Sequence, residues 1–308
     1  MALLGTVCAV SSVACATSRQ PSAVSPAAPL PICSFQYSSD VTIHCVVDGQ
    51  FGPPLVFLHG FGTSSETWQD IRPLLNQHGS LYLVDLKGFG LSSKPRDSNY
   101  TPDEQANIVA ALIRHHNLRD CVLVGHSYGG GIALLAYRKL KAQGGPMPKG
   151  LVLIDPAVYP QRLPSYIAVL RRPMVNRLIF LFTSSSFRAR YTLNRVFYNK
   201  GAITPERVAR YTRFLDVPGA RHSFVAAARQ IDKSDPDDVS AHLAEVDGRT
   251  LVIWGAHDPV IAVSHGHRLR DELPHASLVL APGSGHVPHE EEPEPVAAAI
   301  LEFLRTLP

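Results

Sequence analysis

A serine, a histidine and an aspartate stand in settings that suit nucleophilic attack on a carbonyl. Ser127 sits in LVGHSYGGGIA (123–133), between Gly125 and Gly129, after one apolar run and before another. Small residues two positions before and two after let a strand turn sharply into a helix. Such a turn lifts the hydroxyl clear of the sheet and sets the first amides of the helix beside it. Serine is a weak nucleophile at neutral pH and needs a base, itself oriented by an acid. The chain has 14 histidines, so position rather than residue type selects the base. His286, in APGSGHVPHEEEP (281–293), lies after the last apolar run and before the last helical pattern. Asp258, in VIWGAHDPV (252–260), follows the preceding apolar run, which gives the chain order Ser, Asp, His. Asp155 is a rival acid; its other role is to shape the entry to the segment that follows it. The glycine-flanked turn FLHGFG (57–62) offers the amide of Phe61, which with that of Tyr128 would hold developing negative charge. His59 is expected to fasten this turn through backbone bonds, His257 to be a loop residue beside the acid, and His289 to face solvent. His257, His265, His267, His275, His286 and His289 could supply metal ligands, but no spacing favours it, and no metal or cofactor is implied.

Those residues need a frame that brings them to one edge. Continuous apolar runs at 54–60, 81–86, 121–126, 151–156, 250–255 and 277–282 suit parallel strands buried on both faces. Helical patterns fall between them at about 64–75, 101–117, 127–142, 261–273 and 293–306, the second opened by the cap sequence TPDE. Strand and helix in alternation predict an α/β fold: a doubly wound, mostly parallel sheet. There is no internal repeat. One interval of about 95 residues, between the strands at 151–155 and 250–255, holds several helical patterns broken by Pro173, Pro205 and Pro218. It reads as an inserted helical cap over residues 156–245, leaving a core of residues 33–155 and 246–308. Ligands of such sheets bind outside the carboxyl ends of the strands, where an insertion becomes a lid.

The motifs HGFG, DLKGFGLS (85–92), GHSYGG (125–130), WGAHDPV (254–260) and GSGHVPHEEEP (283–293) stand in an order that resembles the α/β-hydrolase fold superfamily, from about residue 33 to the end. The resemblance implies that Ser127 attacks a carbonyl, His286 moves the proton, Asp258 orients the imidazole and water releases the acyl group. Haloalkane dehalogenases and epoxide hydrolases carry Asp at the position of Ser127, which sets them apart. Meta-cleavage-product C–C hydrolases have the serine, but often Asn before it and Trp after the histidine, where this chain has His126 and Val287. A carboxylesterase or lipase-like serine hydrolase acting on a small ester is the first reading. A C–C hydrolase of a carboxylate-bearing substrate is the second, and a binding protein on the same fold, with an unused triad, the third. Tyr166, Phe180, Phe182, Phe187 and Phe197 in the cap suit an acyl or aryl group, or simply form the core of the cap.

Composition adds a partner expectation. Net charge is +3, yet residues 156–230 hold thirteen Arg and Lys against only Glu206 and Asp216, so the remainder is acidic. That asymmetry predicts an anionic or lipid-like substrate or contact with an anionic membrane surface; solvated arginines on amphipathic helices are the plainer reading. No module for reading nucleic acid is present. Residues 1–16 are apolar and small, with Ala14-Cys15-Ala16 in the form of a signal-peptidase site, and residues 17–32 form a Pro, Ser and Ala-rich linker. This leader predicts export to the periplasm or outside the cell, although no Lys or Arg precedes it; without a working leader the protein is cytoplasmic. Cys15 would serve as a lipid anchor, but Ser12 stands where a lipoprotein signal carries a large aliphatic residue. Cys33 lies in the strand-like ICSFQY and Cys45 in the strand-like VTIHCVV. A three-residue hairpin loop at 38–40 makes cross-strand partners sum to 78 and sets these cysteines opposite each other, either bonded or as two half-buried thiols. Cys121 is expected to be inert packing.

Overall fold

The protein is described by a computed structural model that covers residues 29–231 and 239–308. The leader at 1–16 and linker residues 17–28 lie outside the described residues. A seven-stranded sheet runs in the order β3 (Cys45–Asp48), β5 (Ser80–Val84), β4 (Pro54–Leu58), β6 (Val122–His126), β7 (Gly150–Ile154), β8 (Arg249–Gly255) and β9 (Ala276–Ala281). All neighbours are parallel except β3 and β5. The central strands read as unbroken apolar runs because both faces are covered. Val122 and Val124 pack on one side and Leu123 on the other; Val152 and Ile154 oppose Leu151 and Leu153 in the same way.

Helices α2 (Pro102–His115), α3 (Tyr128–Ala142) and α9 (Val263–Glu272) cover one face. Helices α1 (Arg72–Leu75) and α11 (Pro293–Thr306) cover the other through Leu75, Val296, Ile300 and Phe303. The single helix expected over 64–75 is two short pieces, a 3₁₀ turn at Ser65–Trp68 and α1. Pro73 has no amide hydrogen to bond back to the preceding turn and stands in the first turn of α1, a position proline tolerates, so a new helix starts there. From β4 the chain moves to β5 on one side and returns to β6 on the other. The carboxyl ends of β4 and β6 therefore border the point where strand order reverses, the place such sheets reserve for ligands.

Between β7 and β8 lie α4 (Ser165–Ala168), α5 (Pro173–Phe182), α6 (Ser185–Val196), α7 (Pro205–Thr212) and α8 (Ala220–Gln230). Three arginines of α7 and its C-terminal edge explain part of the cap's charge excess. Arg207 and Arg210 reach Asp70 of the core at 2.9 and 3.0 Å, and Arg213 pairs with Glu66. Arg188 is neutralised within the cap by Asp216 at 3.0 Å.

A small hairpin, β1 (Phe35–Ser38) and β2 (Val41–Ile43), precedes the main sheet. Its turn differs from the expected three-residue loop: the register slips between Gln36 and Ser38, and Ser38 faces Val41. The slip is confined to the turn, so Phe35 still opposes Ile43 and the Cys33 amide donates to the Cys45 carbonyl at 2.8 Å. Cys33 and Cys45 are disulfide-bonded, with Cα atoms 4.9 Å apart. Cys121 is free and buried, its thiol pushed up to about 12 by burial. Reduction should therefore add the mass of two hydrogens to the intact chain and lower its unfolding free energy by at most about 3 kcal/mol, the entropy of so short a loop. Equal urea midpoints with and without reductant would show that the bond does not stabilise the fold.

Candidate active site

Ser127 ends β6 and caps α3 with φ 52° and ψ −116°. This left-handed backbone is costly for a residue with a side chain, about 1–3 kcal/mol, and only rigid surroundings maintain it. A Cβ on Gly125 would stand 2.5 Å from the Gly129 carbonyl oxygen, and one on Gly129 would stand 2.2 Å from that of Leu58. The flanking glycines are thus the condition for the turn to close against β4. Gly130 and Gly131 let α3 approach the loop after β7 at Pro156 and Ala157.

His286 lies in the loop after β9 and Asp258 in the loop after β8. Asp258 Oδ2 accepts from His286 Nδ1 at 2.8 Å, since a carboxylate can only accept. That leaves Nε2 to accept the Ser127 hydroxyl at 2.9 Å. Asp258 Oδ1 takes the amides of Val260 and Ile261 at 2.7 and 3.0 Å, which fixes its plane. Burial raises the Asp258 pKa, but His286 and these hydrogen bonds outweigh it and hold the carboxyl below its ordinary value.

Asp155 is not the partner of the imidazole. It is fully buried, its Oδ1 accepts the Gly255 amide at 2.9 Å, and a carboxylate oxygen lies within 4.8 Å of one from Asp258. Burial, then the neighbouring Asp258 charge, raises its pKa well above the ordinary carboxylate value. Asp155 therefore holds the proton and Asp258 the charge. Asp155, Asp258 and His286 are the one group among the described residues close enough to share a cation. Both ring nitrogens of His286 already have partners in Asp258 and Ser127, so the arrangement serves proton transfer. The six histidines considered as metal ligands are not gathered together.

His59 holds its turn as expected: Nδ1–H donates to the Gly60 carbonyl at 2.8 Å and Nε2 accepts the Leu86 amide at 3.0 Å. His257 is exposed and stacks on Tyr198 with ring centroids 4.0 Å apart. His289 does not face solvent. The short helix α10 (Pro288–Glu291) turns it fully inward, where it donates to Thr67 Oγ1 at 3.0 Å and packs on Trp68 at 4.5 Å. His126 carries a role that sequence reading missed. Its Nε2–H donates to the His286 carbonyl at 2.7 Å, and burial followed by the His286 charge drives its pKa down to about 3. It steadies the His286 backbone without adding a second cation.

Glutamates of the last motif were missed as well. Glu291 accepts the amides of Gly285, Tyr198 and Asn199 at 2.7–2.8 Å, joining the loop of His286 to the end of α6. Glu292 takes the Gly283 amide and the Ser284 hydroxyl at 2.8 and 2.7 Å. Their proximity to a glycine-rich loop was the available signal, since bare amides need acceptors.

Above Ser127 lies a cavity of about 350 Å³, lined by Phe61, Tyr128, Tyr166, Ile167 and Val287 among others. A second cavity of about 110 Å³ shares Phe61, Tyr166 and Tyr211 with it and extends beneath α5 and α6. Of the cap aromatics singled out in the sequence, Tyr166 and Phe180 line these cavities, Phe197 is packed in the cap core, and Phe182 and Phe187 point outward.

Residues 55–299 match the family model described as the alpha/beta hydrolase family. The chain belongs to that family. It is 30% identical over 253 residues to an uncharacterized hydrolase, YugF, of Bacillus subtilis, covering 82% of this chain and 89% of the relative. Haloalkane dehalogenase 2 of Mycobacterium bovis is 29% identical over 287 residues, 86% of this chain and 92% of the other. A solved thermophilic esterase of Thermogutta terrifontis is 25% identical with a TM-score of 0.73, covering 91% and 98% of the two chains.

The substitution Asp155→Asn imitates the protonated acid. The folded pKa of Asp155 is raised, so native protein keeps a proton that the unfolded chain releases above about pH 4, and wild-type stability declines as pH rises through that interval. A carboxamide in its place has no such proton to lose. The variant should fold, and its urea midpoint should exceed wild type by a margin that widens from pH 5 upward. A margin constant in pH would place the charge on Asp155 instead.

Proposed function

We propose that the protein is a serine hydrolase of carboxylic esters. The observation that supports this most directly is the unbroken chain Ser127 Oγ, His286 and Asp258, at 2.9 and 2.8 Å, under a largely apolar cavity. Ser127 Oγ attacks the ester carbonyl as His286 Nε2 takes its proton, and Asp258 balances the imidazolium. The amides of Phe61 and Tyr128 hold the oxyanion; losing such a donor costs about 3 kcal/mol or more in the transition state. The tetrahedral intermediate then expels the alcohol, which receives its proton from His286. Water, deprotonated by the same imidazole, releases the carboxylic acid and restores Ser127.

Two features favour this reading over its neighbours. A dehalogenase-like displacement needs a carboxylate nucleophile, and the elbow carries Ser127. A C–C hydrolase of the meta-cleavage type acts on a carboxylate, yet among the described residues no Arg or Lys lines the cavity above Ser127. A neutral ester suits such a lining better.

Graded p-nitrophenyl esters test the proposal. Turnover of short and medium acyl chains is expected, with Ser127→Ala and His286→Ala each lowering kcat by about 10⁴-fold or more and leaving the fold intact. Ligand binding without turnover of any ester would mean a binding protein. Turnover confined to a dienoate bearing a vinylogous ketone would mean a C–C hydrolase.

A further inference from the structure

The cap helix α5, PMVNRLIFLF, is apolar on two sides. Its inner side is used: Asn176 is buried and donates to the Leu170 carbonyl at 2.9 Å, and Phe180 lines the cavity of about 110 Å³. Its outer side is bare. Met174, Leu178, Leu181 and Phe182 are 72, 50, 70 and 77% exposed, and their spacing of i, i+4, i+7 and i+8 places them in one stripe. Phe187 and Tyr191, one turn apart on α6, are 59 and 40% exposed. Large apolar side chains left together in water forgo the free energy of burial, so this stripe is built for an occupant.

The charges around it say which. Arg172, Arg177, Arg190 and Arg195 are exposed on α5, α6 and their approach, and none has a carboxylate partner among the described residues. Within 156–230 the acids are Glu206 and Asp216, and Arg188 already neutralises Asp216. Beside α5, a depression of about 630 Å³ is lined by Arg96, Arg177, Arg221 and Arg229. An apolar stripe rimmed by cations matches an anionic bilayer, with acyl chains for the stripe and phosphates for the guanidiniums. A second copy on the same face would bring the two sets of arginines together, which opposes that pairing. Ten residues of helix, about 15 Å, can lie in the interface and cannot cross it. No helix among the described residues is long and apolar enough to span a membrane.

We propose that the outer face of α5 and α6 docks on anionic membranes, so that the ester substrate is a lipid drawn from the bilayer. The second half rests on the ester-hydrolase reading above. The inner face of α5 borders the smaller cavity, which meets the cavity of Ser127 at Phe61, Tyr166 and Tyr211. An acyl chain leaving the membrane at α5 therefore has an apolar route to the nucleophile.

Flotation of the full chain with vesicles tests this, using phosphatidylcholine alone and with about a third phosphatidylglycerol. Wild type should partition onto the anionic vesicles about tenfold more strongly than onto neutral ones, and high salt should release it. Leu178→Asp with Phe182→Asp should lose about tenfold or more of that binding while soluble short-ester turnover stays within about twofold. Arg172→Glu with Arg190→Glu should weaken binding and flatten its salt dependence. Ser127→Ala should bind like wild type. Vesicle binding by a protein that turns over no ester would sustain docking while refuting the hydrolase reading. Failure of wild type to bind anionic vesicles, or equal binding by the Leu178/Phe182 variant, overturns the proposal. So does a solution dimer that this variant converts to monomer without any vesicle binding in wild type.

Discussion

The backbone of Ser127 is the constraint on which the rest of this molecule turns. A side chain at φ 52° is unfavourable, and it persists because strand β6, helix α3 and the end of β4 close on it from three directions. That closure requires bare backbone at Gly125 and Gly129. The strain has a chemical return: the hydroxyl projects beyond the sheet edge, where an imidazole from a distant loop can accept its proton. The amide of Tyr128, first in α3, is left at the same spot with no earlier turn of helix to bond to.

Placing the imidazole is a separate problem, because His286 comes from a glycine-rich loop with little stiffness of its own. The fold solves it with acceptors and donors from elsewhere. His126, next to the nucleophile, binds the His286 carbonyl, while the His286 amide donates to the Val196 carbonyl at the end of α6 at 2.8 Å. Glu291 takes three amides from the same two segments. The base is therefore tied to the nucleophile strand on one side and to the cap on the other. None of these bonds involves α4 or α5, so the part of the cap nearest the stripe is not what holds the triad.

A buried polar cluster fixes the opposite side of the cap. Glu290 is fully enclosed, takes hydrogen bonds from Thr67 at 2.6 Å and from Tyr211, and lies 3.6 Å from Arg207. Burial raises its pKa, with the Arg207 charge and these hydrogen bonds opposing. Such clusters contribute little net stability compared with a packed apolar equivalent, but their directional bonds specify one docking position. Part of the cap's positive charge thus serves its attachment, and another part lies on its outer surface around α5.

Local sequence determined a good deal. The apolar runs marked all six parallel strands, and Gly-x-Ser-x-Gly after such a run identified the elbow. Burial on both faces explains the runs of β4, β6, β7 and β8, whereas the edge strand β9 is apolar but largely exposed, against expectation. Chain order selected His286 from 14 histidines and narrowed the acid to Asp258 or its rival Asp155, because each follows a strand whose carboxyl end must share one edge. The register of a hairpin was also local enough to set Cys33 opposite Cys45, while the bond between them is shown by the structure. Tertiary structure decided what depends on neighbours remote in the chain. His289, three residues past His286, reads in sequence as solvent-facing, yet Trp68 and Thr67, some 220 positions earlier, enclose it. Asp155 and Asp258 are equivalent by type and by strand-end position. Only packing shows that one is enclosed beside the other's charge and keeps its proton. The basic cap could not be divided by inspection either, since which arginines find carboxylates depends on Asp70 and Glu66 across the interface. Periodicity and turn chemistry act within a few residues, whereas burial and charge pairing are set by whatever the fold brings alongside.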